Sequence, residues 1–366
     1  MRHFDKYQIL TNCQHGFRRK RSCETQVLTL VDELIKSLDK GKQHDLAVLD
    51  FSKAFDRVPH TDLPLLVLSK SRLFADDCVV YREINTEADC EILQQYLHNL
   101  ADWEKQWGMS FHPEKCSVLR VHRKSRVNLS WNTHIDKITK KGNSTLGFLH
   151  LNLRISNEEA KTTAYISLVR PNLEYCSTAW NPYTKDQTKK LEMVQRRAAR
   201  YVTNRHHNTS SVATMLDHLQ WDTLESRRTK AQLTMLYRIV NNLVDIPAQQ
   251  HLTPASSRTR SINSRKYRQP SSSTSYYRNS FFPRTITIWN SLPSAIAEAP
   301  DLDRNGCGGG SSGGGCGSGS SDKSIGSDKS SGSSCGGGGG SGSCSSGGGS
   351  GSSSDGRGSS SGGSEM

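Results

Sequence analysis

Leu46-Ala47-Val48-Leu49-Asp50-Phe51 and Arg72-Leu73-Phe74-Ala75-Asp76-Asp77-Cys78-Val79-Val80-Tyr81 are two apolar runs that carry acids where acids are costly. Their composition predicts strands: Asp45 to Phe51 as one, and Arg72 to Tyr81 as a strand, a turn and a strand with the acidic pair at the tip. An ionised Asp is expelled from a buried sheet unless something compensates its desolvation. A divalent metal does so, because Mg²⁺ takes oxygen ligands and holds carboxylates close together. Neighbouring strands lie about 4.8 Å apart, so an Asp ending one strand can face an Asp-Asp at the tip of a paired hairpin. Two ions roughly 3.5–4 Å apart would then fit between them, one activating an attacking hydroxyl and the other stabilising the leaving oxygen, as in polymerases. The competing reading is that Asp76-Asp77 is a hairpin turn and nothing more, since Asp is favoured in turns.

The surrounding blocks bear on that choice. In order they are Gln14-His15-Gly16-Phe17-Arg18, then Arg21-Ser22-Cys23-Glu24-Thr25-Gln26, then Leu49-Asp50-Phe51-Ser52-Lys53-Ala54-Phe55-Asp56-Arg57-Val58-Pro59-His60, then the Phe-Ala-Asp-Asp box, then His112-Pro113-Glu114-Lys115-Cys116. In wording and order these five blocks resemble the reverse transcriptase of non-LTR (LINE-type) retrotransposons. The likeness runs on through a basic helical region to about Asp303. It implies an α+β fold: a remnant polymerase palm, with a small antiparallel sheet and helices, then an all-helical thumb-like region; the likeness stops at the Gly/Ser tail, which composition alone predicts to be disordered. It implies RNA-directed DNA synthesis with an RNA template and a DNA primer as partners and Mg²⁺ or Mn²⁺ as cofactor. Asp50, Asp76 and Asp77 would be the catalytic, metal-binding carboxylates. Phe55 looks like the bulky residue that excludes a sugar 2′-hydroxyl, with core packing as the alternative. Lys115 looks like the lysine near the triphosphate, and Arg18 or Arg21 like phosphate contacts of the fingers. Solvated side chains are the alternative for all three.

The chain also departs from that family. Only Thr61 to Ser71 separates the two acidic blocks, where the family carries a helix beneath the palm sheet and a Gly-rich motif. Losing that helix is expected to uncover one face of the sheet. Most of the fingers, a strand pair between Arg126 and Asn128, and an upstream endonuclease domain also look missing. Catalysis needs near-attack geometry held by a supporting shell, so the expectation is a fragment that is catalytically defective, with a non-catalytic basic nucleic-acid binder as the alternative.

The chain has 366 residues and a formal net charge of +13. The basic excess lies mainly in Lys185 to Arg205 and Arg227 to Arg284. Such a field favours polyanions, with a merely solvated surface as the alternative. Ten cysteines are present, Cys13, Cys23, Cys78, Cys90, Cys116 and Cys176 in the body and the others in the tail, with no Cys-x-x-Cys spacing. No apolar leader opens the chain and no apolar run reaches the roughly 18–20 residues that span a bilayer. Reduced thiols in nucleus or cytoplasm, no membrane association and no evident protein partner are the resulting expectations.

Four segments are expected: 1–125 as partial fingers and palm, 126–252 as the basic thumb-like helices, 253–303 as an Arg/Ser-rich arm with a short apolar end, and 304–366 as a tail too poor in apolar residues to fold. Helices are predicted for Cys23 to Leu38 (stripe Val27, Leu30, Val31, Leu34, Leu38, stopped by Gly41) and Glu87 to Trp107 (stripe Ile92, Leu93, Tyr96, Leu97, Leu100, Trp103, ended by Gly108). Further helices are predicted for His134 to Leu151, Asn157 to Val169 (ended by Pro171), Thr184 to Thr203 and Leu224 to Asn242. In Thr184 to Thr203, Lys189, Lys190, Arg196, Arg197 and Arg200 crowd the polar face and would meet nucleic-acid phosphates. Trp180, Tyr183 and Trp221 could stack on bases, but core packing is the favoured reading. Arg258, Arg260, Arg265 and Arg268 of the arm could contact RNA or belong to a solvated linker. Phe281 to Ile296 is expected to dock back on the helices.

Overall fold

A computed structural model describes residues 11–52, 70–75, 77–108, 110–122, 131–205, 211–255 and 265–297. Asp76, Phe55, Arg258, Arg260 and the tail 304–366 lie outside the described residues. The fold is α+β. Helix α1 (Cys23–Asp39) leads into β1 (Gln43–Ser52), followed by β2 (Lys70–Phe74), β3 (Asp77–Ile84), α2 (Glu87–Gln106), β4 (Ser110–Phe111) and β5 (Ser117–Val121). The strands form one antiparallel sheet. β3 lies between β2 and β1, and β4 and β5 share the far edge of β1.

Local chemistry sets these boundaries. Ser22 caps α1 reciprocally: its hydroxyl accepts from the Thr25 amide at 3.2 Å, and the Thr25 hydroxyl accepts from the Ser22 amide at 2.8 Å, satisfying donors that a helix start leaves orphaned. Gly41, at φ +79°, turns the chain out of the helix as expected. The buried stripe of α1 differs from the predicted one. Leu28, Asp32, Leu34, Ile35 and Leu38 are buried, whereas Val27, Leu30 and Val31 are only half-buried. The reason is that α1 is covered on two sides. Leu34 and Leu38 pack on Leu46, Tyr81 and Val121 of the sheet, while Leu28 packs with Phe281, Phe282 and Trp289 from the far end of the chain.

Both faces of the sheet carry a helix, contrary to the expectation of an uncovered face. Side chains alternate across a strand, so Leu46 faces α1 while Phe51 faces the opposite layer. There Phe51, Leu73, Cys78 and Val80 meet Leu93, Tyr96, Leu100 and Trp103 of α2. The α2 stripe read from sequence is therefore the buried one, except for the half-buried Leu97 and for Ile92, which is 36% exposed.

The remaining elements are helical: α3 (Asn132–Asn152), α4 (Glu158–Ala164), a π turn (Tyr165–Val169), α5 (Arg170–Glu174), α6 (Ser177–Trp180), α7 (Lys185–Thr203), α8 (Val212–His218), α9 (Leu224–Val240), α10 (Ala248–His251), α11 (Ser275–Arg278), α12 (Phe281–Asn290) and α13 (Ser294–Ala297). Pro171 does not end the helix before it. It sits in the first turn of α5, where a missing N–H costs no hydrogen bond. Helix α3 runs alongside α7 in the same direction, since Asp136 pairs with Lys190 and Asn143 with Arg197. Gly142 permits the close approach: a Cβ there would meet Leu173 Cδ2 at 3.2 Å and Val194 Cγ1 at 3.4 Å. Trp180 and Trp221 are buried in this layer, Trp221 stacked on Tyr165 with ring centroids 4.4 Å apart. The segment Phe281 to Ile296 docks back as expected, with Phe282, Ile286 and Trp289 buried against α9 residues Leu236 and Ile239. Among the described residues no helix is long and apolar enough to cross a membrane.

Candidate functional site

Asp50 lies near the end of β1 and Asp77 opens β3, and the register sets them directly opposite each other. Opposed residues share a face, with Cβ atoms about 4.5–5.5 Å apart. The pair therefore lies on the α1 side of the sheet, the side of Leu46 and Tyr81. Like charges so placed repel unless a cation stands by. Lys115 supplies one: its Nζ is 2.7 Å from Asp50 Oδ2, with the Asp50 side chain 16% exposed and that of Lys115 62%. The turn His112 to Cys116 delivers the lysine. The His112 amide donates to the Asp50 carbonyl at 2.8 Å, and the Lys115 and Cys116 amides both donate to the His112 carbonyl.

The hairpin turn is clasped by the segment that precedes α1. Ala75 has φ +55°, a left-handed conformation that strains any residue with a Cβ. Gln14, 1% exposed, holds it. The Gln14 side-chain oxygen accepts from the Ala75 amide at 3.2 Å and from the Gly16 amide at 2.9 Å, and Gln14 Nε2 donates to the Ala75 carbonyl at 3.5 Å. The His15 amide donates to the Leu73 carbonyl at 2.8 Å, and the Leu73 amide to the Cys13 carbonyl at 3.0 Å. Gly16 is required here because a Cβ would stand 2.8 Å from the Ala75 nitrogen.

Arg21 locks this loop to the helical part of the chain. Its Nη1 donates to the carbonyls of Asn12 and Gln14 at 2.6 and 2.8 Å, and its Nε to Asp245 at 2.6 Å. Arg18 donates to the Thr11 carbonyl at 3.0 Å. Both arginines thus have internal partners, and a phosphate would compete with them. Arg72, which carried no sequence signal of its own, ties β2 to α1 through Thr29 and Glu33 and reaches the Tyr81 hydroxyl at 3.0 Å. Nearby, burial lowers the His15 pKa to about 4, with the positive charges of Arg21 and Arg72 acting in the same direction.

The described residues of the five blocks quoted from the sequence thus converge on one end of the sheet. Asp76 lies outside the described residues, and among those described no three His, Cys, Asp or Glu side chains gather as a metal site. Asp50 and Asp77 alone offer a hard, oxygen-rich donor pair of the kind that suits Mg²⁺ or Mn²⁺. Gln14, the clasp itself, is the residue that sequence reading quoted without assigning a role. The signal available for it was an amide flanked by Gly16, two residues from a position where the backbone must pass close to another strand.

The basic helix α7 divides. Lys190 is paired with Asp136 at 2.6 Å and Arg197 with Asn143 at 2.9 Å, so they join α7 to α3. Lys189 and Arg196 are exposed and Arg200 is half-buried. Tyr183 is 39% exposed. Of the arm, Arg265 and Arg268 fall within the described residues, and Arg268 fixes a bridge through its amide to the Thr253 carbonyl at 2.8 Å.

No protein-family model matches the chain, and no curated protein matches it either.

Proposed function

We propose that the chain is a fragment of an RNA-directed DNA polymerase of the non-LTR retrotransposon lineage, and that the Asp50–Asp77 end of its sheet descends from a two-metal nucleotidyl-transfer site. The observation that carries this reading is the register: two acids, quoted from separate sequence blocks, stand opposite each other across one ladder. The other three blocks bind the same sheet end, through Gln14 on Ala75, Arg21 on Gln14 and Lys115 on Asp50. A turn that needed Asp only for its conformation would not require those partners.

In this reading Asp50 and Asp77, with Asp76, hold the divalent ions. When bound, the ions would activate a primer hydroxyl and stabilise the leaving pyrophosphate. Lys115 holds Asp50 and would be the cation that meets a triphosphate. Gln14 fixes the strained turn that aims the acidic tip. The short connection from Thr61 to Ser71 leaves no room for the segment that shapes the template and nucleotide site in that lineage. The proposed protein therefore binds nucleic acid and extends primers poorly or not at all.

A second reading, a non-catalytic nucleic-acid binder, is favoured by the exposed Lys189 and Arg196 on α7. One experiment separates the two. A labelled RNA template annealed to a DNA primer is mixed with the full chain across a salt series, with Mg²⁺ or Mn²⁺ and deoxynucleotides. Binding that weakens steeply with salt is expected in both readings. Extension that disappears in Asp77→Asn would establish retained catalysis; binding without extension fits both readings, and Mn²⁺ uptake by the unsubstituted chain that is lost in Asp77→Asn then marks the metal site that only the first reading predicts. Absence of binding at low salt would overturn both.

A further inference from the structure

The start of α1 meets the segment before α6 through a pair of cysteines. The Tyr175 hydroxyl donates to Cys23 Sγ at 2.9 Å, across 152 positions of sequence. One residue further along α1 and three further along the other segment, the Thr178 hydroxyl donates to Glu24 Oε1 at 2.8 Å. Cys176, which follows Tyr175, has a left-handed backbone (φ +51°), and its thiol lies close enough to the Cys23 sulfur to perturb it. Both thiols are free and half-buried. By contrast, Cys78 is fully buried, and burial pushes its thiol up to about 12.

We propose that Cys23 and Cys176 form a reversible peroxide-responsive dithiol that ties the sheet-covering helix to the helical layer. Three features suit Cys23 to be the attacking sulfur. It is the first residue of a 17-residue helix, where the backbone N–H groups favour an anion. Hydrogen bonds from Cys176 and then Tyr175 stabilise its thiolate and bring its pKa down to about 6, against the opposing effects of burial, Asp77 and Glu24. The pKa of Cys176 is displaced upwards by its contact with Cys23 and by burial, which suits it to be the resolving thiol.

The chemistry balances with a hydroperoxide as oxidant. The Cys23 thiolate attacks the peroxide, forming an S–O bond as the O–O bond breaks, and the departing hydroxide takes a proton to become water. Cys176 sulfur then attacks the Cys23 sulfenic sulfur. The S–S bond forms, the S–O bond breaks, and hydroxide leaves with the Cys176 proton as a second water. Two thiols lose two electrons and one hydrogen peroxide is reduced. The proposal is independent of the polymerase reading, because it rests on the α1–α6 contact and not on the carboxylates.

The test uses the full chain treated with graded hydrogen peroxide, alkylated, digested without reduction and mapped by mass spectrometry. The expected result is a Cys23–Cys176 linked peptide that appears at lower peroxide than any other pairing, while Cys90 and Cys116 still alkylate, and that disappears with dithiothreitol. Cys176→Ser should leave a dimedone-reactive sulfenic acid on Cys23, and Cys90→Ser should leave the linked peptide unchanged. Unselective oxidation of Cys23, Cys90 and Cys116, or over-oxidation of Cys23 without the linked peptide, would overturn the proposal, and the unsubstituted chain alone suffices for that outcome.

Discussion

At Gly16 a single hydrogen separates a fitted loop from a clash. The Ala75 nitrogen 2.8 Å from a built Cβ is backbone, tied into the hairpin, and cannot swing away. Gly16→Ala should therefore cost about 1–3 kcal/mol, as forced overpacking does, read as a lowered urea midpoint at unchanged slope. Ala75→Gly should act in the opposite direction. It relieves a left-handed alanine (φ +55°), so a net gain of about 1 kcal/mol is expected after glycine's own entropy cost. A loss of stability would mean that the Ala75 methyl packs more usefully than its backbone is strained. His15 makes a pH prediction. Its folded-state pKa, about 4, lies below the ordinary 6.5. Between those values the unfolded chain binds the proton and the folded chain does not, so stability falls as pH drops from about 6.5 to about 4 and this contribution is flat below. An NMR titration should place the His15 midpoint near 4, and a midpoint near 6.5 would contradict the burial argument.

At the scale of elements, the sequence was most legible where one periodicity met one neighbour. The stripe Leu93, Tyr96, Leu100 and Trp103 was readable because α2 packs on the sheet alone. Helix α1 was read correctly at Leu34 and Leu38 but misread at Val27, Leu30 and Val31, because besides the sheet it packs on segments distant in sequence, among them the cluster of Phe282 and Trp289 near the other end of the chain. Pro171 was misread because a proline in the first turn of a helix and a proline that stops one look alike until the preceding π turn is seen. Strand β4 has only two residues, too few for any period. Of the candidate site, the acids Asp50 and Asp77 were readable as costly charges in apolar strands. Their surroundings were less so: Lys115 was singled out as a triphosphate contact and not as the partner of Asp50, and Gln14, which holds Ala75, reaches it through a turn whose geometry no spacing rule fixes. The contact of α12 with α9 and α1 yields a further prediction. Trp289 is 2% exposed, and its indole nitrogen donates to the Arg265 carbonyl at 2.9 Å. Trp289→Ala should cost about 3–5 kcal/mol, measured by chemical denaturation. A cost below about 1 kcal/mol would show that the C-terminal segment contributes little to the helical core.

For the whole molecule, one arrangement organises the account: segments far apart in sequence lock the acidic end of a small sheet. Arg21 couples the Gln14 loop to Asp245 in the helical part, and α1 touches both the sheet and the last apolar helix. If this convergence descends from a metal site, the full chain should still take up a divalent ion there. The most direct measurement is a Mn²⁺ titration of the intact protein, with free ion followed by electron paramagnetic resonance, alongside Asp50→Asn, Asp77→Asn and Lys115→Ala shown by circular dichroism to be folded. The proposal predicts saturable binding to the unsubstituted chain, loss of that binding in both Asn variants, and tighter binding in Lys115→Ala because the competing ammonium is gone. Binding to Asp77→Asn indistinguishable from that of the unsubstituted chain, or no saturable binding at all, would contradict it.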